Sequence, residues 1–237
     1  VSMIGSHSVN WPALFQQQAE KSTDERLKSF YQQGVVAADT ALVDVPFVAL
    51  DFETTGLDAT KDEIISIGLV PFDLHRIRLR ESRYWLLKPN DGLTETSVPF
   101  HGITHSQLSA APDLNLILES VLDEIAGKIV VVHYRNIERE FLDSAIKKRL
   151  GEGIIFPMID TMELEAMLYR RGILNRLKRL IGWRLESIRL GDSRLRYHLP
   201  HYGQHHALTD AIATAELLQA QVLHRYSEAT HLSELWI

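Results

Sequence analysis

Cysteine is absent from the 237 residues of this chain. Disulfides and thiolate–zinc centres are therefore excluded, and a cytoplasmic enzyme is the default expectation. Long apolar runs are missing as well, none approaching the ~18 residues of a membrane span. No basic segment followed by an apolar stretch opens the chain, so no secretory signal is read there, and Met3 reads as a natural start behind Val1 and Ser2. Positive charge is scarce: 25 Lys and Arg stand against 31 Asp and Glu, a net charge of −6. That balance argues against simple non-specific coating of DNA. Apolar content of 45% and charged content of 24% are ordinary for a soluble globular chain. The length allows one large domain, or one domain with an extension.

The scarce positive charge is unevenly placed. Between Tyr169 and Arg196 nine Lys or Arg residues face only Glu186 and Asp192. A basic block in an acidic chain can meet phosphates while the remaining surface stays acidic, although a solvated helical face is the plainer alternative.

Residues 1–42 read as an N-terminal extension with short helical patterns at 11–15 and 27–31, expected to form a helical arm or a contact for a protein partner. Catalysis is expected to survive its removal. Residues 43–237 read as the main domain, with the basic stretch at about 169–200 as an insertion. Pro46 suits the start of a strand rather than its middle, so a strand is predicted from Phe47 through the apolar run Phe47-Val48-Ala49-Leu50. Further strands are predicted over 63–72, 76–88, 129–132 and 154–159. Helices are predicted over 113–126, 136–150, 161–169 and 209–226. Strands first, then alternating helix and strand, describe an α/β domain with a mixed central sheet flanked by helices.

Three segments carry chemistry. In Asp51-Phe52-Glu53-Thr54-Thr55-Gly56-Leu57 the acids are two apart, so both project from the same face of a strand. Adjacent carboxylates repel and are costly to bury, and a hard cation such as Mg²⁺ or Mn²⁺ resolves that conflict. A strand end meeting solvent is the plainer alternative. In His205-His206-Ala207-Leu208-Thr209-Asp210, Asp210 falls in the first turn of the last long helix and His205 on the loop before it. A carboxylate there gains from the helix dipole, and a loop histidine suits a general base, although the aspartate also fits a simple cap. The third segment runs from His133 to Leu142. Ile137, Phe141 and Ala145 share a core face, with Glu138, Leu142 and Ile146 alongside, whereas Asp143 points with Arg139 and Lys147 toward solvent. Glu138 is therefore the better candidate for a site acid on this helix.

Taken in order, these segments resemble the three exonuclease motifs of the DEDDh family of 3′–5′ exonucleases. Phe100-His101-Gly102-Ile103-Thr104 and Asp160-Thr161 resemble two further recurring family segments, and the resemblance spans roughly residues 47–223. One departure stands out: the second motif usually reads His-Asn-Ala-x-Phe-Asp, and Glu138 occupies its aspartate position. Tyr134 and Arg135 likewise replace small or amide residues.

The resemblance implies an RNase H-like fold and two metal ions, Mg²⁺ or Mn²⁺. Asp51, Glu53 and Asp210 would be ligands, Glu138 a ligand directly or through water, and His205 the base. Thr54, Thr55, Gly56 and Leu57, with His101, Gly102 and Ile103, would hold the terminal nucleotide. Leu57 and Ile103 would press against its base, core packing being the plainer alternative for both. Arg170, Arg171 and Arg176 would guide the strand. The implied partner is nucleic acid with a free, unpaired 3′ end, DNA before RNA.

Overall fold

Two side-chain caps begin the fold. Asn10 accepts from the Ala13 amide at 3.1 Å at the head of α1 (Trp11–Lys21), and Asp24 from the Arg26 amide at 2.9 Å at the head of α2 (Glu25–Gln32). Each satisfies an amide that a helix N-terminus leaves without an intrahelical partner. The computed structural model describes residues 9–89, 103–169, 186–203 and 205–237. In chain order the remaining elements are β1 (Phe47–Thr54), β2 (Ile64–Phe72), β3 (Arg83–Leu86), α3 (His105–Ser109), α4 (Leu114–Ile125), β4 (Ile129–Val132), α5 (Arg135–Leu150), β5 (Met158–Asp160), α6 (Thr161–Tyr169), α7 (Leu190–Arg196) and α8 (Ala207–Arg225).

The strands form one sheet in the order β3-β2-β1-β4-β5. β1 pairs antiparallel with β2 and parallel with β4, β2 pairs antiparallel with β3, and β4 parallel with β5. This is the mixed sheet expected from the order of patterns. Period-two alternation divides β1 between two cores. Val48, Leu50 and Phe52 face α4, α5 and the N-terminal helices, whereas Phe47 and Ala49 face α8 with Val70 and Phe72 of β2. Asp51 and Glu53 continue the α8-facing row.

Two strand expectations change. The third strand is confined to Arg83–Leu86, because Asp73 accepts from the His75 and Arg76 amides, each at 2.9 Å, and turns the chain, with a 3-10 turn at Leu79–Glu81 following. The fifth begins only at Met158, since parallel pairing with β4 starts there. α7 lies within the basic stretch and carried no helical prediction.

The N-terminal helices do not stand off from the sheet. Trp11, Phe15, Leu27, Phe30 and Tyr31 are buried in the same core as Val48 and Leu50. Phe30 packs edge-on to Phe156 at 6.2 Å, and the Tyr31 hydroxyl accepts from the Ile155 amide at 3.0 Å. Glu152 Oε1 accepts from the Thr23 and Asp24 amides at 3.1 and 2.7 Å, fastening the α1–α2 turn to the end of α5. No helix among the described residues is long and apolar enough to cross a membrane.

Candidate active site

β1 runs apolar until Leu50 and then presents Asp51 and Glu53 on its α8-facing side. The feature that lets α8 reach them is a glycine. Gly68 lies opposite Asp51 in the β1–β2 ladder, and a Cβ on it would overlap the Leu208 amide nitrogen and the Ala207 carbonyl carbon. Across the next ladder Gly68 faces Tyr84, whose ring stacks on His206 at 4.7 Å. The head of α8 is thus seated on the sheet, with Asp210 in its first turn. One carboxylate oxygen from each of Asp51, Glu53 and Asp210 lies within 4.8 Å of the others. This convergence separates Asp210 from the simple cap allowed by its position in sequence.

Glu138, in the first turn of α5, completes the acidic group. It is 3% exposed, and its Oε2 has no hydrogen-bond partner among the described residues. Asp143, by contrast, pairs with Lys147 at 2.7 Å on the outer side, as its spacing predicted. Burial and crowding govern how these acids ionise. Burial, then repulsion from Glu138, Asp210 and Glu53, holds the Asp51 carboxyl well above the ordinary carboxylate range. Burial, then the charge of Asp210, raises Glu53 to about 7. Burial raises Glu138 to about 8, the charge of Asp160 adding to it. Asp210 is also raised by burial, although the His205 amide opposes the shift. Four carboxyl groups held against their own charge form an oxygen-donor set of the kind a hard divalent cation neutralises.

His205 lies exposed on the loop before α8. Its backbone is left-handed, with φ 68°, and its amide donates to Asp210 Oδ2 at 2.9 Å. A candidate ligand and the candidate base are therefore tied together. The turn after β1 is built around Asp62, which accepts from the Thr55 hydroxyl at 3.2 Å and the Asp58 amide at 2.9 Å. A Cβ on Gly56 would overlap that carboxylate, so a larger residue there would have to displace Asp62. Thr54 and Leu57 reach an open cleft of about 650 Å³ that also holds Asp51, Glu53, Glu138, His205 and Asp210. Thr55 and Gly56 pack against Asp62 within that turn.

Ile103 is 6% exposed and packs with Ile65 and Leu108, an arrangement in keeping with the packing alternative. His101 and Gly102 lie outside the described residues, as do Arg170, Arg171 and Arg176. Two other cations of the basic stretch are neither solvated nor free for phosphate. Arg194 is 3% exposed and pairs with Glu216 at 2.7 Å, while Arg196 pairs with fully buried Glu165. Arg189 does line the cleft.

Several contributors had weak signals in sequence. Gly68 interrupts a mostly apolar strand, which is a mark of close backbone approach. Asp160, 5% exposed, accepts from the Tyr134 and Arg135 amides at 3.1 Å each and from the Met162 amide at 2.9 Å, joining the heads of α5 and α6. His133 is held low, at about 4, by burial, and its Nε2 reaches the Ile188 carbonyl at 3.0 Å while Nδ1 meets the Thr161 hydroxyl at 2.8 Å. It acts as a neutral strut between β4, α6 and the segment before α7.

Residues 48–218 match the model of the RNase_T family, described as Exonuclease. The DNA polymerase III PolC-type protein of Thermotoga maritima is 33% identical over 181 residues, covering 76% of this chain and 12% of that protein. The DNA polymerase III subunit epsilon of Treponema pallidum is 27% identical over 187 residues, covering 79% of this chain and 81% of that protein. Among solved structures, the nuclease domain of 3'hExo, a DEDDh family member bound to rAMP, superposes with a TM-score of 0.62 at 17% identity, covering 82% of this chain and 98% of that one. The motif resemblance and the RNase H-like fold are thereby borne out: the chain belongs to the RNase_T exonuclease family.

Proposed function

We propose that this chain is a divalent-metal-dependent 3′–5′ exonuclease of the DEDDh type, removing mononucleotides from an unpaired 3′ end with DNA as the favoured substrate. The observation that carries this reading is the convergence of Asp51, Glu53 and Asp210 within 4.8 Å, beside the Oε2 of Glu138, which has no hydrogen-bond partner among the described residues. Hard oxygen donors fit a pair of Mg²⁺ or Mn²⁺ ions. Asp51, Glu53 and Asp210 would hold them, with Glu138 contributing directly or through water. When bound, such ions supply positive charge against the attacking and leaving oxygens of a phosphodiester.

The remaining work falls to the chain's own residues. A ring nitrogen of His205 takes the proton from the attacking water, whose oxygen bonds to the last phosphorus. The bond between phosphorus and the 3′ oxygen breaks, that oxygen takes a proton from solvent, and a strand one nucleotide shorter and a 5′-mononucleotide remain. Leu57, 84% exposed at the turn after β1, presses on the terminal base, and Arg189 offers the cleft a cation for phosphate. The RNase_T match supports nuclease chemistry, and the DNA polymerase relatives favour DNA over RNA.

The deciding experiment uses matched 5′-labelled single strands of DNA and RNA with Mg²⁺, Mn²⁺ or EDTA, alongside Asp51→Ala. A ladder shortening from the 3′ end, dependent on metal and absent in the variant, is expected, faster on DNA. A faster RNA ladder would assign the same site to an exoribonuclease. Glu138 favours a second reading, a substrate-binding protein with impaired chemistry. Glutamate is one methylene longer than the family's aspartate, about 1.5 Å of extra reach, and misplacement on that scale can cost about 100-fold in rate. Binding of both strands without cleavage, with cleavage restored by Glu138→Asp, would establish that reading instead.

A further inference from the structure

Leu57 and Tyr134 emerge from neighbouring parallel strands, Leu57 after β1 and Tyr134 after β4, and both line the acidic cleft. Ligands of open α/β sheets commonly sit outside the carboxyl ends of such strands. Tyr134 is unusual in three respects. Its backbone is left-handed, with φ 101° and ψ 72°, a conformation that asparagine or glycine adopts far more readily than an aromatic residue. The residue is 43% exposed. Neither its ring nor its hydroxyl makes a hydrogen bond or ring contact among the described residues.

The strained backbone is held from behind. Asp160 receives the Tyr134 and Arg135 amides on separate oxygens, each at 3.1 Å, so the residue is pinned at the head of α5 by its backbone, while no hydrogen bond or ring contact holds its ring among the described residues. A residue whose only function was to make this turn would be served at lower cost by asparagine. Strain of this kind, kept beside a reactive cleft, points to a use for the side chain.

We propose that Tyr134 is a substrate-positioning residue: its ring is a stacking platform for an unpaired nucleobase at the 3′ end of the strand. This rests on the exonuclease reading and names a further substrate contact within it. The face of an aromatic ring accepts any base, so the platform supplies affinity without sequence preference. Asp160 sets its position through the backbone, and the bound strand is placed relative to the carboxylates on β1.

Tyr134→Phe keeps the ring, and Tyr134→Asn removes it while easing the backbone, so neither change threatens folding. Steady-state degradation is measured on a single-stranded oligonucleotide and on the same oligonucleotide with its two 3′-terminal nucleotides made abasic. Tyr134→Asn is expected to raise KM for the normal strand by roughly 5- to 100-fold, with kcat within about twofold, whereas Tyr134→Phe keeps both constants. On the abasic strand the asparagine variant should match the wild type, because there is no base left to stack. An unchanged KM in Tyr134→Asn overturns the platform, as does an equal rise on both strands. Those failures leave wild-type cleavage intact, whereas a wild-type protein that neither binds nor cleaves any strand overturns the exonuclease reading and the platform together.

Discussion

At the scale of single residues, the site depends on two kinds of contribution. His205 is exposed and tied through its amide, not its ring, to Asp210. His205→Ala should therefore leave the carboxylate arrangement, metal binding and strand binding intact while removing most turnover, by about 100- to 10,000-fold for a lost general base. Single-turnover cleavage alongside a binding titration checks this, and normal turnover eliminates the assigned base. Gly68 contributes by lacking a side chain. Gly68→Ala places a methyl group against the backbone at the head of α8, where it cannot be relieved by turning a side chain. Overpacking of this kind costs about 1–3 kcal/mol. The expected outcome is a lower melting temperature together with weaker metal binding, measured by Mn²⁺ titration. Weakened stability with unchanged metal affinity would show that Gly68 packs the sheet without setting the distance from Asp51 to Asp210.

At the scale of elements, α1 and α2 behave as part of the domain. Their buried aromatic and aliphatic residues share a core with β1, and the Glu152 contacts lock their turn to α5. This packing changes what removal of residues 1–42 is expected to do: the shortened chain should expose Phe156 and the sheet face behind it, and lose folded protein. Phe30→Ala tests the point more gently, with an expected cost of about 3–5 kcal/mol and unchanged cleavage per folded molecule. Denaturant unfolding and active-site titration separate the two quantities. A stability change below about 1 kcal/mol would restore the picture of a loosely attached arm.

At the scale of the whole molecule, the crowded acids link folding to pH and to metal. Glu53 and Glu138 are raised from about 4.5 in the unfolded chain to about 7 and about 8 in the folded one. A raised carboxylate binds its proton more tightly in the folded state, so its contribution is fully present below about pH 4.5 and is lost as pH rises through about 7 to 8. In EDTA the melting temperature of the wild type is expected to fall across that window, more steeply than that of Glu138→Gln. Mg²⁺ or Mn²⁺ should restore it at pH 8, because a ligand that binds only the folded state stabilises that state. Parallel curves for wild type and variant would mean that Glu138 ionises as freely in the fold as in the unfolded chain.

Much of this protein was legible from local pattern, because local chemistry is strong at those places. Apolar runs bounded by Pro46 and by Asp51 placed β1, and the two-residue period put both acids on one face. Helical spacing selected Glu138 over Asp143, and the structure buries the first while pairing the second with Lys147. The same logic failed where long-range pairing decides the outcome. β5 begins only where its ladder with β4 starts, and the basic stretch hides Arg194 and Arg196, whose carboxylate partners, Glu216 and Glu165, lie 22 and 31 residues away in sequence. The sequence by itself determined the family, the donor chemistry and the strand that carries it, because these reside in residue types at short spacing. Only the tertiary structure decided that α8 could settle onto Gly68, bring Asp210 to Asp51 and leave Tyr134 at the cleft, because each depends on the approach of segments that meet only when the chain has folded.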